Sequence, residues 1–239
     1  MESNLKHTVG EIVAKDFRTA SVFSKYGIDF CCGGEKTLEE ACKKQSVNSL
    51  KLQSELEEAV RNGTEEVDFN SLPLDSLANY IEETYHTHIK KKAPLLLQYL
   101  AKIKEVHGEH HPELAKIFDA FSQSVMDLSM HLQKEERILF PIIRELAEAE
   151  RGGFPVEQSH CGTVQNPIFV MKEEHEIEGE RYRKMAELSN GYTVPPDGCN
   201  TYHIAYEMLE EFEVKLHEHI HLENNILFPK AVELEKALA

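Results

Sequence analysis

Residues 131–141 read "HLQKEERILFP" and residues 219–229 read "HIHLENNILFP". The two agree in register at His, Glu, Ile, Leu, Phe and Pro, which makes them an internal repeat. Both begin His-x-x-x-Glu. On a helix, residues four apart share a face, so His131 with Glu135, and His219 with Glu223, each present an imidazole and a carboxylate to one point. Heptad positions drawn outward run Leu114, Ile117, Phe121, Ser124, Leu128, His131, Glu135, Ile138 and Ile142 through the first copy. Through the second they run Leu209, Phe212, Leu216, His219, Glu223 and Ile226. The polar pairs therefore interrupt an apolar seam. A carboxylate buried there must be paired or metal-bound, because leaving it alone costs several kcal/mol or changes its protonation.

Residues 217–221, "HEHIH", also match the H-E-x-x-H pattern of zinc hydrolases. His217 and His221 lie about 160–200° around the helix from His219. That places them on the polar side, expected to face solvent, so the hydrolase reading is set aside in favour of the repeat.

Four long helical patterns cover roughly 76–107, 112–150, 167–190 and 201–237, broken by "HGEHHP", "GGFPVEQSHCGTVQNP" and "NGYTVPPDGCN". No segment alternates apolar and polar residues as a strand would. Ahead of them, Thr8 with Glu11 and Thr37 with Glu40 have the form of capping boxes opening two short helices, and a third helix is expected over Leu50–Arg61. The predicted fold is all-α: a small helical domain over 1–62, a linker over 63–75, and an antiparallel four-helix bundle over 76–239.

Composition narrows the partners. A net charge of −16 over 239 residues repels nucleic acid and acidic lipid surfaces. No apolar run is long enough to span a bilayer, and "MESNLKHTVGEIVAKDF" lacks the pattern of a secretory leader, so a cytoplasmic location is expected. Five cysteines, two of them adjacent, form no disulfide framework. The thirteen histidines are the unusual feature, because neutral imidazole is a common metal ligand.

His175 falls in the stripe Ile168, Met171, His175, Tyr182, Met185 of the third long helix. In the first, both His86 and His88 of "YHTHIKKKAP" are available, and the stripe through Ile81 and Leu95 leans toward His88. Four imidazoles and two carboxylates exceed the needs of one tetrahedral zinc and suit two metals sharing bridging carboxylates about 3.5–4 Å apart. Iron is the leading candidate, with manganese and zinc also compatible. Core pairs making only hydrogen bonds are the plainer alternative, weakened by the repetition. A ferritin-like site needs Glu-x-x-His motifs that these seams lack.

With the "DFCCGG" turn, the two repeats and "EEH" on the third long helix in view, the chain resembles the iron-sulfur cluster repair di-iron proteins of the RIC or ScdA type. The resemblance spans nearly the whole chain and implies a small Cys-Cys-Gly-Gly domain followed by a hemerythrin-like bundle. It selects His86, the His after Tyr and eight residues before a Pro, over His88; His131, Glu135, His175, His219 and Glu223 match the remaining ligands. It further implies two non-haem iron ions, a homodimer, and repair of clusters damaged by nitric oxide or oxidants, with damaged iron-sulfur proteins as partners. An iron donor is the leading reading. The rivals are a nitric oxide or dioxygen enzyme or carrier, and a metal-state sensor.

Cys31 and Cys32 are given a thiol role, because the positive end of the helix opened by Thr37 would favour a thiolate. Cys42 and Cys199 are expected in packing, and His107, His110, His111 and His203 on the surface or in loops. Cys161, in the longer loop, has no assigned role.

Overall fold

A computed structural model describes residues 4–62, 68–153 and 162–238. Cys161 and residues 63–67 of the expected linker lie outside the described residues. Within them the chain is helical, without a strand; Thr8 and Thr37 make an isolated bridge. Two compact units emerge, one from Met1–Ala78, Ile143–Val164 and His217–Ala239, the other from Asn79–Ile142 and Gln165–Leu216.

In the first unit, α1 (Val9–Lys15) and α3 (Leu38–Gln45) each start at a complete capping box, Thr8 with Glu11 and Thr37 with Glu40. The two starts are tied together: Val9 N–H donates to the Lys36 carbonyl at 2.8 Å and Leu38 N–H to that of His7 at 3.0 Å. The third expected helix forms as α4 (Ser49–Asn62). An additional helix, α2 (Ala20–Lys25), has no side-chain cap bond at its start and so lacks the capping signature that marks α1 and α3. Val9, Val13, Phe23, Leu38 and Leu52 are wholly buried between these helices. Phe69, within the expected linker, is buried edge-on against Phe17 at 6.0 Å between ring centres.

The second unit is built on α6 (Thr87–His107), α7 (Glu113–Lys134), α9 (Gln165–Leu188) and α10 (Asn200–Leu222), a four-helix bundle. Phe121 meets Phe212 edge-on at 5.3 Å, and Tyr182 stacks on Phe212 at 6.2 Å. The polar seam position Ser124 is satisfied by donating to Glu178 at 2.7 Å. Burial raises the Glu178 carboxyl despite that bond and the Arg181 guanidinium beside it.

Three helices are interrupted by a single π turn. Glu82–His86 separates α5 (Leu74–Ile81) from α6; Glu135–Leu139 separates α7 from α8 (Phe140–Gly152); Glu223–Leu227 separates α10 from α11 (Phe228–Leu238). In both repeats the N–H of the Phe in "ILFP" reaches back five residues, to the carbonyl of Glu135 or Glu223. The following proline explains the position: it lacks an N–H, and its ring would clash with the carbonyl four residues earlier in a regular helix. A widened turn removes the conflict.

The turn also resets the helical phase, which corrects one expectation. Ile138, drawn in the seam, is 44% exposed, while Leu139, Phe140 and Ile143 are buried. In the second copy Ile226, Leu227 and Phe228 are all buried, because the far side of that turn is covered by the Cys-Cys-Gly-Gly region.

Candidate metal centre

Three of the four long helices deliver their polar residues beside or within a π turn, while His175 sits in the uninterrupted α9. His86 closes the first turn, Glu135 and Glu223 open the other two, and His131 and His219 sit one turn earlier. His86, Glu135, His219 and Glu223 have no exposed surface, and His131 and His175 almost none. His86 Nε2 lies 3.4 Å from Glu135 Oε2, and His131 Nε2 lies 3.2 Å from Glu135 Oε1. His219 Nε2 is 3.1 Å from Glu223 Oε1. His175 Nε2 lies 3.1 Å from His131 Nε2. Two imidazole nitrogens that close need a proton or a cation between them.

Ligand atoms of His86, Glu135, His219 and Glu223 fall within 4.8 Å of one another, as do those of His131, Glu135, His175 and Glu223. Both carboxylates belong to both groups. His88 belongs to neither; its ring is tilted against Phe212 at 6.0 Å. The stripe that leaned toward His88 assumed an uninterrupted helix, and the π turn between Ile81 and Thr87 breaks that count.

Two further carboxylates orient the imidazoles. Glu136 Oε1 lies 2.8 Å from His86 Nδ1 and 2.5 Å from Lys90 Nζ. Burial raises the Glu136 carboxyl, but these two bonds outweigh it and leave it below the usual range. Glu174 Oε2 lies 2.9 Å from His131 Nδ1, and Lys134 pairs with its other oxygen. The His131 bond, opposed by burial and reinforced by Lys134, lowers the Glu174 pKa to about 2. Both carboxylates are thus anions that fix an Nδ1 proton and leave Nε2 as the lone-pair donor, the usual arrangement behind a metal-bound histidine. Sequence reasoning missed both. Their signal was a second acidic residue, Glu136 after Glu135 and Glu174 before His175.

The donor set, buried imidazole and carboxylate on Nε2 and Oε atoms, fits iron, manganese or zinc. The hemerythrin HHE cation binding domain matches residues 77–231, and the ScdA_N domain, itself of unknown function, matches residues 5–60. The chain is 34% identical over 226 residues to a Pectobacterium atrosepticum protein named iron-sulfur cluster repair protein YtfE, covering 94% of this chain and 96% of the relative. It is 32% identical over 225 residues to the Musicola paradisiaca YtfE, covering 94% and 96%. Against the iron-sulfur cluster repair protein ScdA of Staphylococcus haemolyticus it is 32% identical over 222 residues, covering 93% and 96%. The chain belongs to the iron-sulfur cluster repair family. Its bundle is hemerythrin-like, and no helix among the described residues is long and apolar enough to cross a membrane.

In this member of the repair family the back of the helix that carries His219 and Glu223 is not a solvent face. His221 is wholly buried, with its Nδ1 3.2 Å from the Phe30 carbonyl and its ring against Phe17 and Phe30. Burial lowers its pKa to about 4. His217 meets the edge of Phe30. The expectation that these histidines face water fails because the Cys-Cys-Gly-Gly turn packs there. Asn225 Nδ2 donates to the carbonyls of Phe30 and Cys31, both at 3.3 Å.

Within that turn Cys31 is buried and its Sγ lies 3.8 Å from Cys32 Sγ. The Cys32 contact, then burial and the nearby Asp29 carboxylate, push the Cys31 thiol well above its usual pKa. The expected helix-end thiolate is therefore not met at Cys31. Cys42 is buried as expected, but Cys199 is exposed: its Sγ lies 3.2 Å from His107 Nε2, at the start of α10. The His107 contact and the α10 amides lower the Cys199 thiol to about 7. Of the remaining histidines, His110 and His203 are exposed, whereas His111 lies between Glu113 and Asp197 at 3.0 and 3.1 Å.

Proposed function

We propose that this chain is a two-iron protein that repairs iron-sulfur clusters damaged by nitrosative or oxidative stress, acting as an iron donor. The observation that carries the reading is the pair of overlapping ligand groups sharing Glu135 and Glu223. Two groups with two common carboxylates match a dinuclear centre rather than one tetrahedral zinc. His86, His131, His175 and His219 would supply the nitrogens, and Glu135 and Glu223 the bridging oxygens. The names carried by the YtfE and ScdA relatives support cluster repair as the activity.

When bound, iron held by these nitrogen and oxygen donors would be more exchangeable than iron in a thiolate-bound cluster. The protein's own contribution is positional. Glu136 and Glu174 keep two imidazoles in one tautomer, Lys90 and Lys134 hold those carboxylates, and the apolar layer of Phe121, Phe140 and Phe212 limits water. We place the activity in the cytoplasm, in a homodimer, with damaged cluster proteins as partners and nitric oxide or dioxygen as admissible small ligands. Residues 1–62 would act as a module bearing Cys31 and Cys32, joined through 63–75 to the metal-binding bundle at 76–239.

The deciding experiment is anaerobic purification from iron-replete cells with metal analysis, followed by incubation with a nitrosylated cluster protein. About two iron atoms per chain, with recovery of the target's cluster absorption, are expected. One firmly held zinc without iron, or catalytic nitrous oxide formation without target recovery, would overturn the reading.

A further inference from the structure

The Cys-Cys-Gly-Gly turn holds a second cluster of metal-ligating atoms. Single ligand atoms of Asp29, Cys31 and Cys32 lie within 4.8 Å of one another. Cys31 Sγ lies 3.3 Å from Asp29 Oδ1. The backbone sets this geometry: Asp29 Oδ1 accepts from the N–H groups of Cys31 at 3.1 Å and Cys32 at 3.0 Å, so the chain folds back over its own carboxylate. Burial raises the Asp29 carboxyl, but the Gly33 amide, the Cys31 thiol, the nearby His217 and the Cys31 amide outweigh it and leave it below its usual range. Gly33 leaves room beside the other oxygen, since a Cβ there would stand 3.3 Å from Asp29 Oδ2. Adjacent residues are poorly placed to form a disulfide with each other. They can still point two sulfurs toward one ion.

From this arrangement we infer a second metal site, in which Asp29, Cys31 and Cys32 bind one borderline divalent ion, ferrous iron or zinc, through one carboxylate oxygen and two thiolates. Three protein donors leave a fourth position open to an exchanging ligand. Binding releases two thiol protons to solvent, and the bound ion supplies the positive charge that makes two adjacent thiolates, Cys31 buried and Cys32 half-buried, tolerable. Sulfur donors distinguish this site from the nitrogen and oxygen set of the bundle and favour softer ions.

The turn is fastened to the helix that carries His219 and Glu223. Asn225 holds the Cys31 carbonyl, and Asn224 Nδ2 reaches the same oxygen at 3.4 Å. Given the repair reading, on which this consequence alone rests, the turn is a thiolate station for iron on its way to or from a cluster. The site itself stands or falls independently.

Cobalt(II) is the probe, added anaerobically to the iron-loaded full-length protein. One equivalent should bind with thiolate-to-cobalt absorption in the near ultraviolet and two sulfur scatterers at the cobalt X-ray edge. The Cys31→Ser, Cys32→Ser variant should lose both signals while keeping its iron. Asp29→Asn, which preserves the backbone bonds, should weaken binding by more than the roughly 10-fold that loss of an orienting partner costs. Cys199→Ser should change nothing. Absence of sulfur scatterers in the wild type, persistence of the absorption in the double variant, its loss in Cys199→Ser, or an unaltered affinity in Asp29→Asn would each overturn the assignment. The X-ray measurement needs no variant, so a misfolded substitution does not shield the inference. Cluster repair that fails while cobalt binds normally would count against the repair reading and leave this site intact.

Discussion

Glu174 accepts a hydrogen bond at His131 Nδ1, 43 residues away, and thereby turns Nε2 of the same ring toward Glu135 and His175. The residue that decides where His131 points is thus a neighbour of His175 in sequence. Orientation of one proposed ligand is carried by the helix of another.

Glu174→Gln keeps an acceptor for that bond but removes the charge. Iron affinity should fall about 10–100-fold, as for other orienting partners of metal-bound histidine. Competition with a ferrous chelator checks this, and saturation at high iron should still reach the wild-type stoichiometry.

His219→Ala or Glu223→Ala should nearly abolish iron loading, whereas His217→Ala should retain it, because only the first two lie in the ligand groups. His221→Ala should separate the effects differently. Opening a buried space beneath Phe17 and Phe30, it should lower the melting temperature while iron per folded chain stays close to wild type.

Gly34→Ala should destabilise the N-terminal region by about 1–3 kcal/mol through overpacking. An added Cβ would stand 2.8 Å from the Phe30 carbonyl and 2.9 Å from Asn225 Oδ1, and the carbonyl is backbone that cannot step aside cheaply. Urea unfolding followed by circular dichroism measures the loss.

Cys199 should alkylate with iodoacetamide along a titration centred near its pKa of about 7, below the usual thiol value of 9.0. The thiolate is the nucleophile, so the rate rises with pH and levels off above that midpoint. His107→Gln removes the largest cause of the lowering and should move the midpoint upward. Mass spectrometry of the modified peptide isolates this thiol from the others.

The bundle and most of the candidate ligands were legible because their signal is local: an imidazole and a carboxylate four residues apart, repeated, in an apolar seam. What escaped depended on phase or on distant chain. The stripe leaned toward His88 over His86, and Ile138 looked buried, because a regular helix was assumed through segments that contain a π turn. His221 looked solvated because nothing near it in sequence reveals that Phe30 covers it. Glu136 and Glu174 resembled ordinary charged-face residues, since adjacent acids on a helix carry no mark of which one turns inward. Cys199 reads as a small apolar residue until His107 is found beside it.

The π turns at Glu135 and Glu223 gear two demands that an ordinary helix could not meet together. Upstream of the turn, the phase is chosen by the histidine and carboxylate; downstream, it is chosen by Leu139 and Phe140, or Leu227 and Phe228. The extra residue acts as the slipped tooth between them. Straightening either helix would rotate one set by about 100° relative to the other, pulling the carboxylate from its partners or swinging a phenyl ring into water. The geometry of the proposed ligands and the apolar packing are therefore indexed to each other, and a helix in the repeat cannot relax in one without misaligning the other.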